Sequence, residues 1–268
     1  MPYVPLDPKG WRMAMGLRPL DETKWLEVDA NRDAELKYKA ELLQSHYDTV
    51  VATTPQSDEA CEEVLELAEQ SLRVHHPELV LAIDNDENPL VRAARLVQED
   101  LCVLQRSDQW RLTSAVVCFP SRWNLASKIG RTMDEIHGPI PLYADKLASP
   151  TNAFFDRISP DKSVWRLNWT LIDNADLHQP TAARKSPEGD LHKWFFRVER
   201  QTLRMLPATR AILFTIRNYV ASAAELCERD ENFGPTLLTS LETAPLEMQE
   251  YKGWIGVAEK LRASLMSG

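Results

Sequence analysis

Apolar residues recur along this chain with two different periods, and the switch between them divides it into three regions. From Asn31 to Tyr47, Leu36, Tyr38, Leu42, Leu43 and Tyr47 fall at helix-like intervals; from Ser57 to His75, Val64, Leu65, Leu67, Ala68 and Leu72 do the same. Ser57 stands as an N-cap before the second run, Asp58, Glu59, Glu62 and Glu63 favour the positive end of a helix, and His75, His76 and Pro77 mark its stop. From Glu99 the pattern becomes strand-like. Asp100–Gln105 and Trp110–Cys118 flank the polar gap Arg106–Gln109, which has hairpin length. Val164–Ile172, Trp194–Leu203 and Ala211–Tyr219 alternate or run apolar and are rich in aromatic and β-branched residues. Five strands, with irregular and helical material between the second and third, predict an α+β fold. Helical periodicity returns in Val220–Arg229, Thr236–Leu241 and Ile255–Leu265, interrupted at Gly234-Pro235 and Pro245.

The expected organisation of the 268 residues is one domain in three parts: a helical N-terminal extension over 1–98, a sheet core over 99–219 and C-terminal helices over 220–268. Leu177–Asp190, polar and broken by two prolines, reads as a surface loop or lid. On strand Trp194–Leu203, period two sets Arg197, Glu199 and Gln201 on one face and Val198, Arg200 and Thr202 on the other. Arg197 and Glu199 therefore suit a structural ion pair as well as a site role, and Arg204 reads as a surface cation.

Charge narrows the partners. With 31 Lys and Arg against 40 Asp and Glu, the net charge of −9 gives no general footprint for nucleic acid or an anionic membrane. The start MPYVPLDPKGW lacks a targeting pattern, and no apolar run approaches the ~20 residues that span a bilayer, so a cytoplasmic protein is expected. Cys61, Cys102, Cys118 and Cys227 are scattered without a CxxC pair and read as reduced core residues. No dinucleotide, P-loop, zinc-protease or serine-hydrolase fingerprint occurs.

Candidate chemistry concentrates between Val117 and Tyr143. His137 precedes Gly138 and Pro139, so regular helix stops there and the imidazole stands at a turn that a ligand can approach. Arg122, Lys128 and Arg131 precede it. Cations beside such a His suit an anionic cofactor such as heme, whose iron takes an imidazole and whose propionates seek Arg or Lys. A polar loop histidine is the plainer alternative. His178 reads as a solvated loop residue and His192 as a surface group at a strand start. Trp123, Trp165, Trp169, Phe214 and Tyr219 supply aromatic material for a pocket or for the core, and Asp134 and Glu135, placed to orient the imidazole, read equally as solvated charges at a helix end and are assigned no site role.

Three stretches carry a family resemblance: Gly16–Asp29 (GLRPLDETKWLEVD); the words FPSRW from Phe119, with Lys128, Gly130, Ile136-His137, Pro139 and Pro141; and Phe196–Tyr219 (FRVERQTLRMLPATRAILFTIRNY), preceded by Asn168-Trp169. In this order they resemble the heme-dependent oxidative N-demethylases. The resemblance implies a PAS-like antiparallel sheet of about five strands that binds heme. It implies His137 as the iron ligand, with Arg122, Lys128, Arg197, Arg200 and Arg217 as candidates for the propionates. It further implies oxidation of a small methylated amine by O2, with electrons from separate flavin and iron-sulfur reductase subunits, since this chain carries neither fingerprint. A PAS-like heme or gas sensor and a heme-free relative are the alternatives.

Overall fold

Period-two alternation puts Leu101 and Val103 on one face of a strand and Cys102 and Leu104 on the other, and all four are buried. A strand apolar on both faces needs cover on both sides, and the chain supplies it. The structure is a computed structural model that describes residues 1–80, 87–181 and 186–267. Its strands are β1 (Arg18–Pro19), β2 (Val51–Thr53), β3 (Asp100–Arg106), β4 (Trp110–Val116), β5 (Val164–Ile172), β6 (Phe195–Met205) and β7 (Ile212–Ser222). They form one sheet in the order β1-β5-β6-β7-β3-β4-β2, with every neighbouring pair antiparallel.

The sheet has seven strands, not the five expected. All five expected strands are present, and β1 and β2 add one short strand at each edge. With two and three residues, these edge strands are too short to show alternation. Strand β7 also runs on to Ser222, three residues past the expected boundary at Tyr219.

Before the core come α1 (Arg32–Ser45), α2 (Tyr47–Val50), α3 (Asp58–His75) and α4 (Pro89–Leu96). Leu42, Val64, Leu72, Leu90 and Val91 from this group pack with Leu101, Val103, Val116 and Leu213. The C-terminal helices are α7 (Ala223–Arg229), α8 (Phe233–Thr243), α9 (Leu246–Lys252) and α10 (Val257–Ser267). Phe233, Leu237 and Leu261 from them meet Leu171, Phe196 and Val198 on the same sheet face. This face is fully roofed by the two ends of the chain.

The other face is covered by the connection between β4 and β5, which contains α5 (Met133–His137), a π-helical turn over Ala144–Ala148 and α6 (Ser149–Phe155). Phe155 packs on Leu104, Leu203 and Ile212, while Leu125 packs on Cys102, Leu112 and Ala115. Between these two anchorages the cover stands off the sheet. Among the described residues no helix is long and apolar enough to cross a membrane. Of the expected lid at 177–190, positions 182–185 lie outside the described residues, and Gln179 is buried through a bridge to Ser121.

Candidate functional site

The gap under the β4–β5 connection is a cavity of about 690 Å³, within the range of roughly 300–1,000 Å³ usual for small-molecule sites. Its floor is the pleat of β5, β6 and β7, with Arg166, Asn168, Glu199, Gln201, Phe214 and Ile216, and its roof carries Trp123, Ile136, His137 and Tyr143. It continues over the outer edge of β5, where Trp165 and Trp169 meet the N-terminal stretch and Tyr251 and Lys252.

His137 is the last residue of α5, a helix of five residues that owes its existence to its caps. Thr132 Oγ1 accepts the Glu135 N–H at 3.2 Å and Glu135 Oε2 accepts the Thr132 N–H at 2.8 Å, a closed capping box. Lys128 Nζ donates to the Ile136 carbonyl at the other end, where a cation suits the exposed carbonyls. The imidazole is fixed twice. Its Nδ1 donates to the Met133 carbonyl at 2.9 Å, and its ring stacks on Tyr143 at 4.7 Å between centroids with planes 18° apart. Nε2 makes no hydrogen bond among the described residues, so one ring nitrogen is tied back and the other is open. Burial pushes the His137 pKa down, the Met133 carbonyl opposes this, and Lys128 and Arg166 push it down further. The neutral imidazole that a metal requires is thus the favoured form.

Arg122 adopts a left-handed backbone with φ of 62°, held by its N–H to the Gln179 carbonyl at 2.7 Å and its Nε to Gln179 Oε1 at 3.0 Å. It lines the cavity and pairs with Asp173. Lys128 lines it too. The three remaining cations proposed from sequence lie elsewhere. Arg197 is buried beyond the cavity, donating to the carbonyls of Phe119 at 2.6 Å and Leu177 at 3.1 Å and to Asn218 Oδ1 at 2.9 Å. Arg200 and Arg217 face each other across β6 and β7 on the opposite, helix-covered face. Arg200 donates to the Lys24 and Trp25 carbonyls and sits 3.4 Å from Glu27; Arg217 pairs with Asp29 at 2.7 Å and Glu35 at 2.8 Å.

Arg197 forms no ion pair with Glu199. Glu199 Oε2 instead accepts from Asn168 at 3.2 Å and Gln201 at 2.8 Å within the cavity floor. Asp134 holds Asn152 and Glu135 closes the capping box, so the Met133 carbonyl, not a carboxylate, orients the imidazole. His178 is not a solvated residue: its Nδ1 bonds the Cys118 carbonyl at 2.7 Å and its ring lies 5.7 Å from that of His46. Arg204 is not a surface cation, being set 4.1 Å over the Trp25 ring and paired with Glu22 at 3.4 Å. Cys118 is fully buried in the core packed by the N-terminal helices and does not line the cavity, and burial pushes its thiol up to about 12.

Arg166 carries no local signal in the sequence. Period two on β5 puts it with Asn168 and Thr170, but only the register Arg166↔Gln201 and Asn168↔Glu199 reveals that this is the cavity face. Among the described residues no group of three or more His, Cys, Asp or Glu is placed to hold a metal, and His137 belongs to no such cluster. A family model described as "Haem-dependent oxidative N-demethylase, alpha subunit-like" matches the chain over residues 16–81 and 74–262.

Proposed function

Because this chain belongs to the haem-dependent oxidative N-demethylase alpha subunit-like family, we propose that it is the heme-binding subunit of a multicomponent monooxygenase that demethylates a small amine. The observation that carries this reading is His137, neutral, fixed through Nδ1 and Tyr143, with Nε2 open toward a cavity large enough for a cofactor. A planar macrocycle with an apolar body suits Trp123, Ile136, Phe214 and Ile216 around it. The five long strands, in chain order, run 3-4-5-1-2 across the sheet with helices inserted between the second and third, which supports a PAS-like core over 99–219. The whole of 1–268 is read as one cytoplasmic heme-binding unit, with 1–98 and 220–268 as its helical additions.

Bound heme would supply oxygen activation, by which one O2, two protons and two electrons from flavin and iron-sulfur partner subunits would turn N–CH3 into N–CH2OH and one water, and the carbinolamine would then release formaldehyde and leave N–H. The protein orients and polarises. His137 would hold the iron, and Arg122 and Lys128 would stiffen the roof that carries it. Among the described residues Glu199 Oε1 takes no protein donor while Asn168 and Gln201 steady Oε2, which suits an alkylammonium ligand beside Phe214 on the cavity floor.

The test is the absorption spectrum of protein purified from heme-supplemented cells, before and after dithionite, CO and dimethylamine, for the wild type and His137→Ala. A Soret band that shifts with amine and changes its ligation in the variant is expected, together with amine-dependent formaldehyde once an electron donor is added. Absence of bound heme, or unchanged axial ligation in the variant, overturns the reading.

A further inference from the structure

Arg166 projects from the middle of β5 into the same cavity as His137, and it has been given nothing to bind. Among the described residues its guanidinium makes no hydrogen bond and no ion pair, and its Nε is buried without a partner. A buried Nε is not diagnostic by itself, since Arg200 and Arg217 have one as well. Their terminal nitrogens, however, are all engaged: Arg200 with the Lys24 and Trp25 carbonyls, Arg217 with Asp29, Glu35 and the Asn218 carbonyl. Arg166 has five donors and no acceptor. The residue is part-buried with Nε wholly enclosed, so its terminal nitrogens reach the cavity without a protein acceptor and are open to an anion there.

The anion must be planar and carboxylate-like to use the fork that Arg166 offers. Glu199 is not that partner. It stands on the adjacent strand beyond ion-pair contact, with Oε2 held by Asn168 and Gln201. Burial pulls the Arg166 pKa down while Glu199 opposes the shift, and a guanidinium keeps its charge in such surroundings. Of the other cations on the cavity wall, Arg122 is directed to Asp173 and Gln179, Lys128 to the Ile136 carbonyl, Lys252 to the Trp169 carbonyl and Arg12 to Asp7, while Arg18 lies over the Trp165 ring at the outer edge of β5.

We infer that Arg166 is a carboxylate-binding residue of the cavity and that it holds a propionate of the cofactor ligated by His137. This rests on the heme reading above. The experiment is a titration of heme-free protein with heme and, in parallel, with heme dimethyl ester, whose propionates carry no charge, for wild type, Arg166→Lys and Arg166→Met. Arg166→Met should weaken heme binding by on the order of 10- to 100-fold while leaving the dimethyl ester affinity as in wild type, because a charge-assisted bond is lost only with the free acid. Arg166→Lys, which keeps the charge without the fork, should recover part of the loss. Thermal unfolding of the heme-free variants, expected to match wild type or exceed it, excludes misfolding as the cause. Equal heme affinity in wild type and Arg166→Met overturns this inference alone, as does an equal loss for heme and its dimethyl ester; failure of wild type to take up heme at all overturns the heme reading and this inference with it.

Discussion

Arg217 on the helix-covered face of the sheet and Arg166 on the cavity face stand two strands apart, yet their surroundings differ in kind. Arg217 is fully buried, held by Asp29 at 2.7 Å, Glu35 at 2.8 Å and the Asn218 carbonyl at 2.7 Å, and its guanidinium lies 4.6 Å from the centre of the Tyr219 ring. It ties the N-terminal extension to the sheet. Among the described residues Arg166 ties no segment to the sheet. The same contrast holds for space. The helix-covered side also has a cavity, of about 580 Å³, but its Asp29 and Glu35 are neutralised by Arg217 and its Tyr219 donates to Glu27 at 2.6 Å. Volume does not mark a site; uncommitted chemistry within it does.

The largest effect that tests this contrast is Arg217→Met. Removing one member of a buried ion pair leaves carboxylates without their counter-charge and should cost about 3–5 kcal/mol, read from the midpoint of urea unfolding. Heme uptake by the folded fraction should stay as in wild type. A variant that unfolds at the wild-type midpoint but loses heme affinity would place Arg217 at the cofactor and break the contrast. Arg197 sharpens it as an intermediate case. Its guanidinium braces the Phe119 and Leu177 carbonyls, close in sequence to Arg122 and Gln179 at the cavity wall. Arg197→Met should cost about 1–3 kcal/mol of stability and also speed heme loss, because the segment behind Arg122 loosens. Movement in only one of the two readouts would assign Arg197 wholly to the fold or wholly to the cavity wall.

Much of this architecture is legible along the chain, because long elements repeat their signal. Val164–Ile172 carries nine residues of strand pattern, enough to fix its existence and its two faces. Arg18–Pro19 and Val51–Thr53 carry two and three, and they exist because neighbouring strands offer them free backbone groups. Helix α4 likewise goes unpredicted, although Asn88 before Pro89 is an N-cap followed by the residue best suited to the first helical position; Asn88 Oδ1 accepts the Leu90 N–H at 2.9 Å. In the site, His137 and its turn could be seen in sequence, since helix stop and cap are local. Its support by Tyr143 could not, because the chain between them bends through Pro139 and Pro141. Nor could the partners of Arg200 and Arg217, which lie more than 170 residues away in the N-terminal extension. Composition lists cations, and only cross-strand register shows which face each one enters.

The smaller effects concern how firmly the imidazole is held. Tyr143→Leu removes a stacked ring, worth about 0.5–1.5 kcal/mol, and should broaden or shift the ligand-field bands of ferric heme without abolishing ligation. Tyr143→Phe keeps the stack and should leave them unchanged; equal disturbance by both would give the role to the hydroxyl. The smallest effect is the titration of His137 in heme-free protein. Burial depresses its folded pKa below the usual value of about 6.5, so the stability tied to the neutral ring is fully present above that pH and is lost as pH falls through the folded value. The difference in unfolding free energy between wild type and His137→Ala should therefore move against wild type as pH falls from about 7 to about 5. A difference that stays flat would mean that the ring is as well solvated as a surface histidine and that the cavity face does not hold its ligand ready.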